Sequence, residues 1–254
     1  MSSLIDVHQA QGCDAPSRAL GHSHCAHSSG DCAACGVRGV SVCASLEEDE
    51  LDGLNALAEK AWFEPKATLF IQGDDADAVY NVTCGMMRLY RLLPDGRRQI
   101  VGFLLPGDFV GVSLSDRFGF SADAVDAVSA CRFDRKAFIA FVDSKPHFLR
   151  RLHEAATHEL TLAPDHMVLL GRRGAEEKVA CFLLSLRERL RRLGSSVVTI
   201  PLPMTRQDIA DHLGLTLETV SRVVSKLARE RVVLVVPDGV RILDPQRLEE
   251  IGAS

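Results

Sequence analysis

Residues Met204–Arg229 read MTRQDIADHLGLTLETVSRVVSKLAR. Two short helices joined by a tight turn account for this pattern. Ile209, Ala210 and Leu213 fall on one face of the first helix. Gly214 stands where the turn needs a left-handed backbone, which glycine adopts without penalty. Leu215 packs the turn. Thr216 caps the second helix, whose Val220, Val223, Val224 and Leu227 point inward. Glu218, Ser221 and Arg222 then share the outward face of its first turns. The alternative is an ordinary helical hairpin with a solvated face, but spacing, glycine and polar edge agree on a helix-turn-helix. Arginine can hold guanine through two bonds, glutamate can accept from the cytosine amino group, and serine can bond base or phosphate. Thr216 and Thr219 lie beside this edge. Arg206, at the start of the first helix, is expected to meet phosphate.

The flanks extend the motif. Downstream, VVLVV-PDG-VRIL reads as a hairpin around Pro237-Asp-Gly239, the wing of a winged helix. Upstream, the strand VVTIPL and a helix over Ala175–Leu193 complete a C-terminal domain over residues 172–254. Gly171-Arg-Arg-Gly174 reads as a hinge. Before it, Pro146 opens a helical stretch to about Leu170. Leu149, Leu152, Ala156, Leu160, Ala163, Met167 and Leu170 recur at steps of three and four. That is the seam of a two-stranded coiled coil, the alternative being a helix packed on its own domain. Pro164 is expected to kink this helix or break its hydrogen-bond ladder.

Residues 45–145 read as a separate unit. Ser45-Leu-Glu-Glu48 forms a capping box opening a helix to about Lys60. From Ala67 to about Phe133, short runs such as TLFI, AVYNVT, MRLYRLL, QIVGFLL and SADAVDAV alternate with Gly-Asp, Pro-Asp-Gly and Pro-Gly-Asp turns. Even spacing of short strands predicts an antiparallel β-barrel or roll. A helix over Arg135–Val142 follows. The fold class is therefore α+β.

Residues 1–44 read as a flexible, cysteine-rich segment, and 1–31, rich in Ser, His, Gly and Ala, as a tail without periodicity. His22, His24, Cys25 and His27 could form an adventitious ligand set there, but a plain disordered tail is the better reading. Five of the eight cysteines, Cys13, Cys25, Cys32, Cys35 and Cys43, precede the first clear helix. Cys84, Cys131 and Cys181 are scattered in apolar surroundings. Cys32-Ala-Ala-Cys35 can present two thiolates to one metal centre from a single turn, with Cys43 close by. The segment has almost no apolar core of its own, so metal or redox chemistry explains these thiols better than packing, with the metal open.

At 254 residues the chain is long enough for two domains with cores of their own. A composition 46% hydrophobic and 25% charged is that of an ordinary soluble protein. Apolar runs of membrane-spanning length and a basic-then-apolar leader are absent, so the cytoplasm is the expected compartment. The net charge of -5 hides an asymmetry. From Arg172 onward there are 14 Lys+Arg against 11 Asp+Glu, a surplus of +3 that fits DNA as a partner without proving it.

The order of tail, β-roll, long helix, hinge and winged helix-turn-helix resembles the Crp–Fnr superfamily of bacterial transcription regulators, over Leu46 to the C-terminus. Glu218-Thr-Val-Ser221-Arg222 is similar to the E-x-x-S-R reading edge of the fumarate-and-nitrate-reduction regulator (Fnr) branch. The resemblance implies a cyclic-nucleotide-binding-like roll, a homodimer and a TTGAT half-site repeated as an inverted pair. It also implies a 4Fe–4S cluster held by three N-terminal cysteines and one in the roll. Cys32, Cys35 and Cys43 match the first three, and Cys131, in AVSACRFD, matches the fourth. The gap from Cys35 to Cys43 is longer than in the archetypal member, and Cys13 and Cys25 are additional. The Gly-Glu and Arg-Ser/Thr phosphate cassette of the cyclic-nucleotide branch is replaced by Gly111-Val112 and Ser121-Ala122, which implies that cyclic AMP is not held.

These readings converge on an oxygen-responsive regulator, not an enzyme. RNA polymerase is its implied partner, with Pro94–Arg98 as a contact surface. A zinc-stabilised or thiol-redox regulator of the same fold is the alternative. A thiol oxidoreductase using Cys32 and Cys35 would need a strand–helix context that this segment lacks.

Overall fold

A computed structural model describes residues 32–112, 115–194 and 198–253. The tail over residues 1–31, with Cys13, Cys25 and the three histidines, lies outside them.

The roll consists of two antiparallel sheets. One has the order β1 (Ala58–Phe63), β8 (Val128–Asp134), β3 (Ala78–Cys84), β6 (Phe109–Val110). The other runs β2 (Thr68–Phe70), β7 (Ser121–Ala124), β4 (Met87–Leu92), β5 (Arg98–Leu104). Alternation along β3 and β8 decides what each face covers. Ala78, Tyr80, Val82 and Ala130 point between the sheets with Phe70, Met87 and Ala122. Val79, Cys131 and Phe133 point the other way, onto three helices. Those are α1 (Glu48–Leu57), α2 (Arg135–Asp143) and the start of α3 (Pro146–Arg172). Strand β3 is buried almost throughout because both of its faces are covered.

Three expectations need correction here. Residues 32–45 are not a flexible segment: they form 3-10 turns at Cys32–Ala34, Arg38–Val40 and Val42–Ser45. Buried Val42 and Leu46 anchor them, and Cys32 N–H donates to Asn55 Oδ1 at 3.3 Å. The box that opens α1 is not Ser45–Glu48. Glu50 accepts from Glu47 N–H at 3.0 Å, while the Ser45 hydroxyl closes the preceding turn on Val42 O at 2.9 Å. The helix also stops at Leu57 rather than Lys60, because Ala58–Phe63 pairs with β8, placing Lys60 opposite Cys131.

Helix α3 continues through Pro164, which has no N–H to give and so removes one rung of the hydrogen-bond ladder without ending the helix. The carbonyl that loses its partner is that of Leu160, a residue 72% exposed. The chain then turns at Arg173–Gly174 into α4 (Ala175–Arg192), as the glycine-flanked hinge predicts. Strands β9 (Thr199–Pro201), β10 (Val233–Val236) and β11 (Gly239–Ile242) make a sheet of order β10-β11-β9 around α5 (Arg206–Leu213) and α6 (Leu217–Arg229). A last helix, α7 (Pro245–Ala253), was not expected. It packs on α4 through buried Leu248 and through Gly252, which sits against Cys181 and Leu184.

The core of this C-terminal unit does not end at the hinge. Met86, Ile100, Phe103 and Leu105 of the roll join Phe182, Leu183, Ile209 and Leu213 in one buried cluster. The outer face of β4–β5 is thereby closed by α5. No helix among the described residues is long and apolar enough to cross a membrane.

Candidate nucleic-acid interface and cysteine site

The helix-turn-helix forms as its spacing requires. Ile209, Ala210, Leu213, Val220, Val223, Val224 and Leu227 are all buried. Gly214 takes the left-handed conformation, φ 62° and ψ 41°, and Leu215 N–H bonds back to Ala210 O at 3.0 Å. Thr216 caps α6 by accepting from Thr219 N–H at 3.2 Å, which commits both threonines to the helix start. Glu218 and Arg222 are exposed, and Ser221 is half-buried beside them. Its own backbone N–H, then the Thr216 hydroxyl, hold the Glu218 carboxyl below its usual range. It is therefore ionised and can only accept, which suits a base amino group and repels phosphate. Arg206, at the first position of α5, is half-buried.

Sequence reading missed one feature of this face. Arg222, Lys226 and Arg229 follow one another at steps of four and three along α6. With Arg247 of α7 they line an open cleft of about 590 Å³ beside the N-terminus of α4. The spacing of the first three was legible; the arrival of Arg247 depends on α7. Lys226 is held by Glu176 at 2.6 Å and Arg247 by Glu250 at 2.8 Å.

The α3 stripe divides in two. Leu149 (47% exposed), Ala156, Leu160 (72%) and Met167 (66%) lie open. Ala163 is half-buried. Leu152 instead packs, half-buried, on the cluster that contains Cys43 and Cys131, so at this position the helix serves its own domain. Leu170 reaches the turn of the helix-turn-helix, 3.8 Å from where a Cβ on Gly214 would stand.

Three of the four implied cysteine ligands meet in one cluster. Cys43 and Cys131 are buried in one apolar cluster with Leu46, Phe138 and Phe148, and Cys32 packs against its edge. Cys35 N–H bonds to Cys32 O at 3.3 Å, closing the turn that carries both. Burial first, offset by a hydrogen bond from Ser41, then repulsion from Cys32, Cys35 and Cys131, pushes the Cys43 thiol up to about 12. Burial and repulsion from Cys32 and Cys35 raise Cys131 to about 11, against the pull of Lys60. Burial is the larger cause at both thiols, and repulsion from the other cysteines adds to it. Among the described residues, no three His, Cys, Asp or Glu side chains close on one point tightly enough for a single metal ion. Cys181 lies elsewhere, on α4, with Arg173 Nη1 at 3.2 Å.

At the positions of the phosphate cassette, Ser121 and Ala122 are buried on β7, and the Ser121 hydroxyl accepts from Gln72 N–H at 3.0 Å. The turn Pro94–Arg97 is exposed, but Arg98 is not part of an open contact surface. Its guanidinium is bonded to Asp208 and Asp211 of α5.

Residues 177–251 match the Crp-like helix-turn-helix domain, and residues 60–145 match the cyclic nucleotide-binding domain. The chain is 50% identical over 220 residues to the transcriptional activatory protein AadR of Rhodopseudomonas palustris, covering 87% of this chain and 92% of that protein. It is 52% identical over 223 residues to the nitrogen fixation regulation protein FixK of Bradyrhizobium diazoefficiens, covering 88% and 94%. Among solved structures, FixK2 from Bradyrhizobium japonicum superposes with a TM-score of 0.72 at 35% identity, covering 78% of this chain and 98% of that one.

Proposed function

This chain belongs to the Crp–Fnr family of DNA-binding transcription regulators, and from that premise we propose that it senses oxygen through a 4Fe–4S cluster and binds TTGAT-type inverted repeats as a homodimer. One observation supports the proposal: Cys43 and Cys131, from two distant segments, share one buried cluster with Cys32 at its edge, and Cys35 is tied to Cys32 in the same turn. Four thiolates crowded in an apolar pocket repel one another, and a polynuclear iron centre offsets that charge while needing ligands spread around it. Held there, the cluster supplies an oxygen-labile centre.

The chain's own residues explain how that site reaches DNA. Phe148 and Leu152, in the first turns of α3, pack on the cluster that holds Cys43 and Cys131. The same helix exposes Leu149, Ala156, Leu160 and Met167. Filling the cysteine site fixes the turns Cys32–Ala34 and Val42–Ser45 against α3 and favours pairing of α3 with its copy. Pairing sets two α6 helices one DNA turn apart. Loss of the filled state withdraws that bias, a shift between two populations.

The replacements at Gly111-Val112 and Ser121-Ala122 leave neither an acid for a ribose nor an arginine for a phosphate, which speaks against cyclic AMP. RNA polymerase is the proposed transcriptional partner, with the exposed turn Pro94–Arg97 as its contact, and the cytoplasm the proposed compartment.

The test is binding to a TTGAT inverted repeat by protein purified without oxygen, before and after exposure to air. Tight binding that is lost with air supports the proposal. Equal binding in both states removes the oxygen response. A zinc-stabilised or thiol-redox regulator is the second reading, kept because Cys32-Ala-Ala-Cys35 suits either chemistry. Brown, sulfide-containing protein favours iron; colourless protein favours zinc.

A further inference from the structure

A hairpin of the roll grips the first helix of the helix-turn-helix through charge. Arg88 of β4 donates from Nη1 to Asp208 Oδ1 at 2.9 Å, and Arg98 of β5 donates from Nη2 to the same oxygen at 2.6 Å. Arg98 also reaches Asp211 Oδ2 through Nε at 3.0 Å and Nη2 at 2.8 Å. The other oxygen of Asp208 accepts from Thr205 N–H at 2.9 Å and from the Thr205 hydroxyl at 2.7 Å. Asp208 is thus saturated, and it is 1% exposed. The far end of Arg88 is tied into the roll, where Asp123 Oδ2 accepts from Nη2 at 3.1 Å while Thr68 and Tyr90 donate to Asp123 Oδ1.

Apolar and backbone contacts surround the grip. Gln99 donates to His212 O at 3.3 Å, and His212 Nδ1 donates to Ile100 O at 3.2 Å. The His212 ring packs among Phe103, Phe182 and His166.

The fold of the helix-turn-helix does not call for these arginines. Thr205 and Asp208 complete the cap of α5 between themselves. Docking of the roll buries this carboxylate, and the roll supplies the two guanidinium groups that offset the cost. Removing one partner of such a group is strongly unfavourable, so the charges define one orientation rather than merely adding attraction. In that orientation Glu218 and Arg222 remain exposed. The grip is therefore compatible with DNA in the major groove.

We propose that Arg88 and Arg98 are positioning residues for operator recognition: by clamping Asp208 and Asp211 they fix the direction in which α6 leaves the dimer, and so the half-site separation the dimer accepts. Arg88 and Arg98 touch no base. They act through α5, whose buried residues are continuous with those of α6. The inference rests on the dimer and inverted-repeat reading above.

The test uses the full chain, purified without oxygen, and duplexes carrying two TTGAT half-sites whose separation is varied one base pair at a time. The readout is the ratio of affinities for the preferred separation and for one lengthened by about two base pairs. R88A and R98A are expected to lower this ratio on the order of tenfold. Single-base preferences within each half-site should stay as in the wild type. R98A and D211N should be non-additive in the ratio, because Arg98 and Asp211 are direct partners. R98K should recover part of the ratio. Should R98A fail to fold, R98K and D211N read the same quantity in chains of nearly native size. A ratio that stays at the wild-type value in folded R88A and R98A overturns the inference, as does an equal loss at every separation. A wild-type chain that binds without any preferred separation overturns both this inference and the dimeric reading, whereas a normal wild-type preference with unchanged variants overturns this inference alone.

Discussion

Cys43 and Cys131, far apart in the chain, lie buried in the same apolar cluster as Phe148, the first core residue of the long helix. The thiols and the start of α3 therefore share one piece of packing. The turn that carries Cys43 also lies directly against α3.

That arrangement predicts a strict division among the cysteines. Replacing Cys32, Cys35, Cys43 or Cys131 singly by serine should abolish iron–sulfur absorbance and anaerobic DNA binding. Cys181→Ser should do neither, since Cys181 sits between α4 and α7. Visible absorption and binding to a TTGAT duplex check this. A fully loaded Cys131→Ser protein would remove the fourth ligand from the account.

Leu160, 72% exposed, is the most exposed large apolar side chain of the α3 stripe. Leu160→Glu puts like charges face to face in a paired seam and should leave a folded monomer with weakened DNA binding. Sedimentation of the loaded variant reads the outcome. An undisturbed dimer would place the interface elsewhere.

Base readout separates Arg222 from Arg206. Arg222→Ala should lose about 1–3 kcal/mol per subunit at one base pair and relax preference there. Arg206→Ala should weaken all sequences alike and reduce the dependence on salt. Glu218→Ala should relax preference at a neighbouring pair. A panel of single-base variants at fixed salt decides; a uniform loss for Arg222→Ala would make it a backbone contact.

His212 makes stability depend on pH in a defined window. Burial, then repulsion from His166, lowers its pKa to about 4, from an ordinary value of 6.5, with the Ile100 carbonyl pulling the other way. The folded state therefore keeps the ring neutral while the unfolded chain takes up a proton. As pH falls from about 6.5 to about 4, stability should drop by about 3 kcal/mol from this group and then level. The variant His212→Asn, whose amide can still donate to Ile100 O, should lose that component. Denaturant melts at several pH values, wild type against variant, provide the check; parallel curves would show that His212 is not responsible.

Legibility in the sequence followed locality. The helix-turn-helix was readable because glycine, cap and valine spacing all act within Thr205–Arg229, and the structure buries the residues that spacing selects. The end of α1 was not readable, because Ala58–Lys60 is helix-compatible text recruited by a strand partner, β8, far along the chain. Leu152 shows the same limit: its period fits a seam, yet the cysteine cluster claims it. The clamp on Asp208 was invisible for a related reason. Arg88, Arg98 and Asp208 look like ordinary surface charges until the roll and α5 are brought together. Cys131 carried no local signal, and only the family resemblance connected it with Cys32, Cys35 and Cys43.

The central claim is that four thiols of this chain hold an iron–sulfur cluster, and elemental analysis of the protein purified without oxygen tests it most directly. The account predicts about four irons and about four acid-labile sulfides per chain, both lost on exposure to air. Stoichiometric zinc without sulfide, or metal-free protein that still binds the TTGAT repeat, would contradict it.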